Sequence, residues 1–270
     1  MWWLALSLYA KSMRTPWILD GLPSTTAFAG LGFGILRPSA AKDGHIVLGC
    51  SHIYTSDGLG LNYRLSKIEN PIFRQKNPHL SEEDALKLAE DIRQLFFESR
   101  GRLPERVVIH KRTPFLKAER EGLLKGLKDV PQVDLVEINV EAMMRCTASV
   151  VTPTGFLADG SPVDRGTAIL LDKFKFLLWV NGNAHPNSAS EAYYMGRFRI
   201  PAPVMVKKHW GPTDLNEIAA EVLALSKMNW NTFDLYTRLP ATIHSSNEIA
   251  RIGKLLKRFE KESYDYRLFI

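Results

Sequence analysis

The residues of this chain that are best suited to binding chemistry are three groups of basic side chains. Lys and Arg, with backbone N–H groups, are the donors that bind nucleic-acid phosphates. The groups are His110-Lys111-Arg112, then Arg197 and Arg199 with Lys207 and Lys208, then Arg251, Lys254, Lys257 and Arg258. Arg251 and Lys254 are three residues apart, so on a helix they share a face and could reach one phosphate. Each group could equally be an ordinary solvated face.

The overall charge suits a polyanionic partner. The chain has 35 Lys and Arg against 29 Asp and Glu, a formal net charge of +6 and a pI near 9.2. A hydrophobic fraction of 45% over 270 residues allows a large core and argues against disorder. Cys50 and Cys146 are far apart and lack partners at metal-ligand spacing, so the sequence supports neither a disulfide framework nor a zinc site and fits a reducing cytosol best.

Short segments, mostly apolar and bounded by glycine or proline, predict the strands that must position these groups, and the third of them is more polar. In chain order they are Thr25 to Ile35, His45 to Cys50, His52 to Leu65, Arg106 to His110, Val133 to Val140, Gly166 to Leu171, Lys175 to Val180 and Phe198 to Lys208. The segment from Ile68 to Leu80 carries two prolines and predicts a loop.

Four segments have the residue pattern of helices lying on a sheet. Ser81 followed by three acids marks one helix start, and Leu88, Ile92 and Phe96 give that helix an apolar stripe. The other segments are Phe115 to Lys128, a helix capped near Asp214 that runs to Met228, and about His244 to Lys261. Alternation of strands and helices predicts an α/β fold with parallel strands in its sheet.

The apolar start of the chain, from Met1 to Lys11, is too short to span a bilayer and predicts a packed helix. Its two tryptophans need a surface to lie against, which suggests a preceding domain or another chain. No repeat, low-complexity tract or linker divides the remainder, which therefore predicts one domain after a short N-terminal helix.

Several separated motifs resemble the PIWI domain of prokaryotic argonautes, in the family's order. They are Val163-Asp164-Arg165-Gly166-Thr167, the run from Leu177 to Gly182, Tyr194-Met195-Gly196 with Pro201 and Pro203, Leu225-Ser226-Lys227-Met228-Asn229-Trp230-Asn231, and Leu239-Pro240-Ala241-Thr242-Ile243. Tyr9-Ala10-Lys11 followed by Thr15-Pro16-Trp17 resembles the family's join between the MID domain and PIWI. The resemblance implies an RNase H-like mixed sheet flanked by helices, with residues 1–24 as a helix and join to a missing MID domain and residues 25–270 as the PIWI domain.

The resemblance also locates two positions at which PIWI nucleases carry metal-binding acids. Two-metal cleavage needs several carboxylates within a few ångströms. Glycine stands at the first position, Gly32, and Arg112 stands at the second, after the strand that holds Val107 to Ile109. A missing anion and an added cation imply a degenerate, nuclease-inactive site. The family's other acids are not assigned here, since Glu82 and Glu83 are better explained as helix-start acids and Ser245 to Glu248 only approximate the last position.

The chain end provides a further implied site. In prokaryotic relatives the terminal carboxylate of an apolar last residue helps to bind a divalent cation that holds the guide's 5′-phosphate. The chain ends in Leu268-Phe269-Ile270, so the Ile270 carboxylate is the candidate ligand for Mg²⁺ or Mn²⁺. Candidate contacts to the nucleic acid are Arg251, Lys254, Lys111, Arg112, Lys207 and Lys208. The implied partners are guide and target strands, the MID domain of the same full-length protein and an effector protein, with a cytoplasmic role in prokaryotic defence.

Three hypotheses remain open from the sequence. The first is a nuclease-inactive PIWI module that binds a guide and its target. The second is an active RNase H-like nuclease whose acids lie elsewhere, for example at Asp57, Asp159 or Asp172. The third is a protein-interaction scaffold that binds no nucleic acid. The sequence leaves open whether the strands are RNA or DNA, since that choice depends on contacts to the 2′-hydroxyl.

Overall fold

In the computed structural model, a mixed sheet of nine strands separates two layers of helices. The structure describes residues 2–36, 45–53, 62–140, 143–182, 200–230, 237–253, 255, 263–265 and 267. The described helices are α1 (Trp2–Lys11), α2 (Glu82–Arg100), α3 (Lys117–Gly126), α4 (Leu215–Leu225) and α5 (Ala241–Gly253). None of them is long and apolar enough to cross a lipid bilayer.

Thirteen strands are described, nine of them in the main sheet. They are β1 (Thr26–Leu36), β2 (His45–Ile53), β3 (Asn62–Ile68), β4 (Ile72–Arg74), β5 (Asn77–His79), β6 (Arg106–Lys111), β7 (Gln132–Asn139), β8 (Thr147–Thr152), β9 (Gly155–Pro162), β10 (Ala168–Asp172), β11 (Lys175–Leu178), β12 (Val204–Trp210) and β13 (Ser263–Asp265). The main sheet has the order β10-β11-β12-β7-β6-β1-β2-β3-β13, whereas β4-β5 and β8-β9 are separate pairs.

The three central strands of the sheet are parallel. β1 pairs with β6, and β6 pairs with β7, in parallel register, while the other neighbours pair antiparallel. Helices α2 and α3 connect these strands, as parallel neighbours require. The carboxyl ends of β1, β6 and β7 therefore meet at one edge of the sheet, which is where open α/β sheets place ligands.

Side-chain alternation along β1 assigns its residues to two cores. Ala27, Ala29 and Leu31 pack with α2 and α3, while Phe28 packs on the opposite side with α4 and α5. Helix α2 begins as its sequence indicates, since the Ser81 side chain accepts a hydrogen bond from the Asp84 backbone N–H. It ends at Gly101, whose φ of 68° is a left-handed conformation that favours glycine.

A buried ion network anchors α4 to the sheet at the amino ends of β6 and β7. Arg106 donates to Asp134 over 2.7 Å and to Glu221 of α4 over 3.0 Å. Thr213, just before α4, donates its hydroxyl to Asp134 over 2.6 Å. Arg106, Asp134 and Glu221 are each no more than 5% exposed, so one guanidinium offsets the charge of two carboxylates in part, away from water.

Several segments differ from the sequence-based expectations, among them three that change the picture of the surface. The predicted loop from Ile68 to Leu80 contains the β4-β5 hairpin. The strands β8 and β9 form a hairpin that the apolar pattern did not predict. The predicted packed helix α1 is buried at Leu6 and Ala10, but Trp3, Leu4 and Leu8 on it are more than half exposed.

Candidate functional site

Gly32 and Arg112 lie at the same level of the sheet, where β6 ends beside β1. The last residues paired in these parallel strands are Leu31 and Lys111, and Gly32 and Arg112 are the next residue of each segment. Because side chains alternate along a strand, Gly32 lies on the side of the sheet that α5 covers. The two positions singled out by the sequence therefore belong to one site.

Helix α5 lies so close to Gly32 that no side chain fits there. A Cβ atom at Gly32 would be 2.5 Å from the Asn247 backbone nitrogen and 2.5 Å from the Ser246 carbonyl oxygen. Gly49 is the direct partner of Gly32 on β2, and a Cβ there would also collide with the Ser246 carbonyl. These obstacles are backbone atoms, which cannot rotate away. The glycine pair thus fits the close approach of α5, and a carboxylate at Gly32 would require the helix to move.

His110, the residue before Lys111, is buried inside the same region. Its side chain is 0% exposed, and its Nδ1 lies 2.8 Å from the Thr242 hydroxyl on α5. Its Nε2 has no hydrogen-bond partner among the described residues. Burial, with the nearby charge of Arg106, lowers the pKa of His110 to about 3. The imidazole is therefore neutral near pH 7 and inaccessible to a strand at the surface.

Lys111 does not lie at the surface, contrary to the expectation that it stands beside a nucleic-acid backbone. Its side chain is 1% exposed, with the ammonium 2.5 Å from a Glu119 carboxylate oxygen and 3.1 Å from His79 Nδ1. Glu119 also accepts the backbone N–H groups of Leu80 and Leu116, each over 2.9 Å. Burial opposes ionisation of Glu119, but the His79 hydrogen bond and the Lys111 charge outweigh it and hold the pKa of Glu119 below its ordinary value. Lys111 is thus a core ion-pair residue that ties β6 to α3.

Arg112 instead belongs to a group of three arginines, which we call the arginine cluster: Arg112, Arg145 and Arg238. Arg238 and Arg145 are exposed, and Arg112 is half-buried. Arg238 Nη2 donates to the Val140 carbonyl over 2.7 Å, just beyond the end of β7. Burial and the positive charges of Arg145 and Arg112 together lower the pKa of Arg238. Arg145 and Arg238 lie far from Arg112 in the sequence, and neither belongs to a run of basic residues. The sequence analysis therefore missed them.

The remaining predicted contacts are distributed over other parts of the molecule. Lys207 and Lys208 lie on β12, where the Lys208 ammonium donates to the Thr213 carbonyl over 2.7 Å. Arg251 is exposed on α5 and pairs with Glu248 at 2.7 Å. Lys254 and the Ile270 carboxylate lie outside the described residues. The described part of the chain therefore brings Arg112 to the carboxyl ends of the parallel strands but leaves Lys207 and Lys208 on a different strand.

The acids of the nuclease alternative do not gather beside Gly32 in the described part of the chain. Asp57 and the side chain of Asp159 lie outside the described residues. Asp172 lies at the β10-β11 turn, accepts the Phe174 backbone N–H over 2.7 Å and pairs with Lys175. Strands β12, β7 and β6 separate that turn from β1. Glu82 and Glu83 occupy the first turn of α2 as predicted, and no described group of three His, Cys, Asp or Glu side chains is placed to hold a metal ion.

The sheet order and the helices on both its faces define an α/β protein with an argonaute-like fold. Over 94% of the chain, the fold matches Clostridium butyricum Argonaute bound to a guide DNA and a 19-mer target DNA, with a TM-score of 0.67 and 17% identity. Two Aquifex aeolicus Argonaute structures, one of them with externally bound siRNA, each match 99% of the chain with TM-scores of 0.64 and 0.65 and identities of 18% and 19%.

The matched region is only part of those proteins. The chain spans 30% of the Clostridium butyricum protein and 34% and 33% of the two Aquifex aeolicus structures. No family model and no curated protein sequence matches the chain. The comparisons therefore establish the fold, in agreement with the mixed sheet expected from the sequence.

Proposed function

We propose that this chain is the PIWI module of a short, nuclease-inactive argonaute that holds a guide strand and its complementary target without cutting them. The observation that carries the proposal is that Gly32 and Arg112 each directly follow the last paired residues of the parallel strands β1 and β6, on an argonaute-like fold. These are the two positions at which the family resemblance expects metal-binding acids.

The electrostatics of this site oppose two-metal cleavage. Two divalent cations about 4 Å apart require several carboxylates to offset their charge. Gly32 contributes no charge, α5 leaves no space for a side chain there, and Arg112 adds a positive charge beside it. A guanidinium repels a divalent cation but attracts a phosphate, so the site favours strand binding over hydrolysis.

The binding half of the proposal rests on the fold and on the exposed cations. The matched Clostridium butyricum protein holds a guide and a target DNA, and the half-buried Arg112 and the exposed Arg251 of this chain are donors that phosphates can use. In this proposal the Ile270 carboxylate helps to hold Mg²⁺ or Mn²⁺ at the guide 5′-phosphate. The proposed partners are a MID domain of the same full-length protein and an effector protein. The proposed role is cytoplasmic and lies in defence.

A cleavage assay tests the inactive half of the proposal. The chain is mixed with a 5′-phosphorylated guide, a labelled complementary target and Mg²⁺ or Mn²⁺, and the target is resolved on a denaturing gel. We expect the target to remain whole. Reproducible product that disappears in the variant Asp57→Asn, Asp159→Asn or Asp172→Asn would establish the nuclease alternative instead.

A salt-dependent titration tests the binding half. Affinity for a labelled guide should fall by orders of magnitude between about 50 and about 200 mM salt, because phosphate contacts release counterions. Charge reversal at Arg251 and Lys254 should weaken guide binding further. Unchanged affinity in that double variant would mean that these two cations do not contact the guide, and no binding at low salt would favour the scaffold alternative.

A further inference from the structure

We propose that the arginine cluster, Arg112, Arg145 and Arg238, is a binding site for consecutive phosphates of one nucleic-acid strand. The inference rests on the proposed function and names the surface that grips the strand. It adds Arg145 and Arg238, which no sequence motif indicated, to the half-buried Arg112.

The positions of the three residues support this site. Arg112 directly follows β6, Arg145 lies six residues beyond the end of β7, and Arg238 lies three residues before α5. Arg112 and the Arg238 guanidinium, which donates to the Val140 carbonyl, therefore lie at the carboxyl ends of β6 and β7, and the charge of Arg145 also acts on Arg238. Arg238 is held there by its 2.7 Å hydrogen bond to the Val140 carbonyl. A side chain fixed in this way loses less conformational freedom when it binds a ligand.

The charges of the cluster favour an anion between them. Neither Arg112 nor Arg238 has a carboxylate partner within the described ranges, in contrast to Arg64, Arg93, Arg106, Arg251 and Arg267. The positive charges of Arg112 and Arg145 act on Arg238, and such like-charge proximity raises the free energy of the unliganded protein. A bound phosphate relieves this repulsion, and the planar fork of a guanidinium can donate two parallel hydrogen bonds to it.

The chemistry of the cluster predicts what it recognises. Guanidinium contacts to phosphate oxygens carry no base information, so this site holds the strand in place without reading its sequence. The strand backbone would then cross the position at which related nucleases bind metal ions. This arrangement offers a physical account of binding without scission.

Fluorescence anisotropy with a short labelled single strand tests the inference. The test variant is Arg145→Gln with Arg238→Gln, and the matched control is Arg102→Gln with Lys128→Gln. The control removes the same charge from exposed residues at the opposite, amino ends of β6 and β7. We expect the test variant to bind at least about tenfold more weakly than wild type at low salt, and its salt slope to be smaller by about 1.4, or about 0.7 for each of two lost contacts. The control should keep the wild-type slope.

A probe with an uncharged methylphosphonate backbone separates phosphate contacts from base contacts. Wild type and test variant should bind this probe equally. If the test variant does not fold by circular dichroism, the single exposed substitution Arg145→Gln takes its place, with about half the slope change expected. Wild-type binding with equal slopes in test and control variants overturns the arginine site alone. Absence of wild-type binding at low salt overturns the proposed function, and the arginine site with it.

Discussion

At the residue scale, burial determines which of the predicted side chains can meet a ligand. His110, Lys111 and Arg112 are consecutive, yet the first two are 0% and 1% exposed and only Arg112 remains accessible. Since successive residues of a strand face opposite sides, His110 bonds to Thr242 of α5 while Lys111 bonds to Glu119 of α3. A basic tripeptide in the sequence thus becomes two core residues and one candidate contact.

The depressed pKa of His110 predicts a pH-dependent stability. The folded pKa of about 3 lies below the unfolded value of about 6.5, so the unfolded chain binds a proton that the folded chain does not. The corresponding stability is present above about pH 6.5 and is lost as pH falls toward about 3. In urea unfolding, His110→Gln should reduce this loss, by at most about 1.4 kcal/mol for each pH unit. Equal pH slopes for wild type and variant would place the titration elsewhere.

The contact between Gly32 and α5 predicts that even a methyl group is costly at this position. Gly32→Ala should lower the free energy of unfolding by about 1 to 3 kcal/mol or more, because overpacking against backbone cannot be relieved by rotamer changes. Gly21→Ala is the control, since no atom lies within 4 Å of a Cβ there and only its φ of +90° opposes the change. A variant at Gly32 that unfolds at the wild-type denaturant concentration would show that α5 moves away easily.

At the element scale, buried ion pairs fix the helices to the sheet. Arg106 joins β6 to α4 through Glu221, and Lys111 joins β6 to α3 through Glu119. Burial disfavours charged Arg106, but Glu221 and Asp134 outweigh it and raise the pKa of the guanidinium. Each pair fixes where a helix packs on the sheet. Loss of one partner is costly, because it leaves the other charge buried without compensation.

Removal of Arg106 is therefore predicted to destabilise the fold strongly. Arg106→Met leaves Asp134 and Glu221 buried without their cation and should cost about 3 to 5 kcal/mol of unfolding free energy at neutral pH. Chemical denaturation measures this loss. Arg93→Met, which removes a partly exposed partner of Asp129, should cost less than about 1 kcal/mol. Similar losses in the two variants would contradict the central role of the Arg106 network.

Local signals predicted some elements well and missed others for identifiable reasons. Ser81 and Gly101 mark the ends of α2, and the apolar strands β1, β6 and β7 occur where expected. The β4-β5 hairpin turns at Gln75 and Lys76, both with positive φ, so no glycine or asparagine signalled it.

Only part of the candidate site could be predicted from the sequence. The resemblance placed Gly32 and Arg112, and the parallel register makes them neighbours. The burial of Lys111 depends on Glu119 of the following helix, and the nearness of Arg145 and Arg238 to Arg112 depends on tertiary contacts. Local periodicity does not encode such contacts, so these features required the structure.

At the scale of the whole molecule, the two ends of the central strands have different chemistry. The amino ends of β6 and β7 hold a buried network of one arginine and two carboxylates, whereas their carboxyl ends carry the arginine cluster, which is exposed at Arg145 and Arg238. This polarity follows from strand direction, since parallel neighbours bring like ends together. One end of these strands is therefore held by buried ion pairs, and the other end carries cations that suit an anionic ligand.

The different burial of the two cysteines predicts that their thiols react unequally. Cys50 on β2 is 1% exposed, and burial, with the nearby charge of Asp91, raises the pKa of its thiol above the ordinary value, while Cys146 is only half-buried. A thiolate is the reactive form, so iodoacetamide should modify Cys146 in the native protein and Cys50 only after denaturation. Mass spectrometry counts the adducts. Native modification of Cys50 would show that the sheet opens around β2.

Strand β10 has consequences for handling the protein. Among the described strands it has a neighbour on one side only, and all five of its residues are exposed, including Ile169, Leu170 and Leu171. The backbone N–H and C=O groups on its outer edge can pair with another extended chain, and its leucines provide an apolar surface for that chain. At high concentration the protein should therefore self-associate through the edge strand β10. The substitution Leu170→Lys should reduce the light scattering of such solutions.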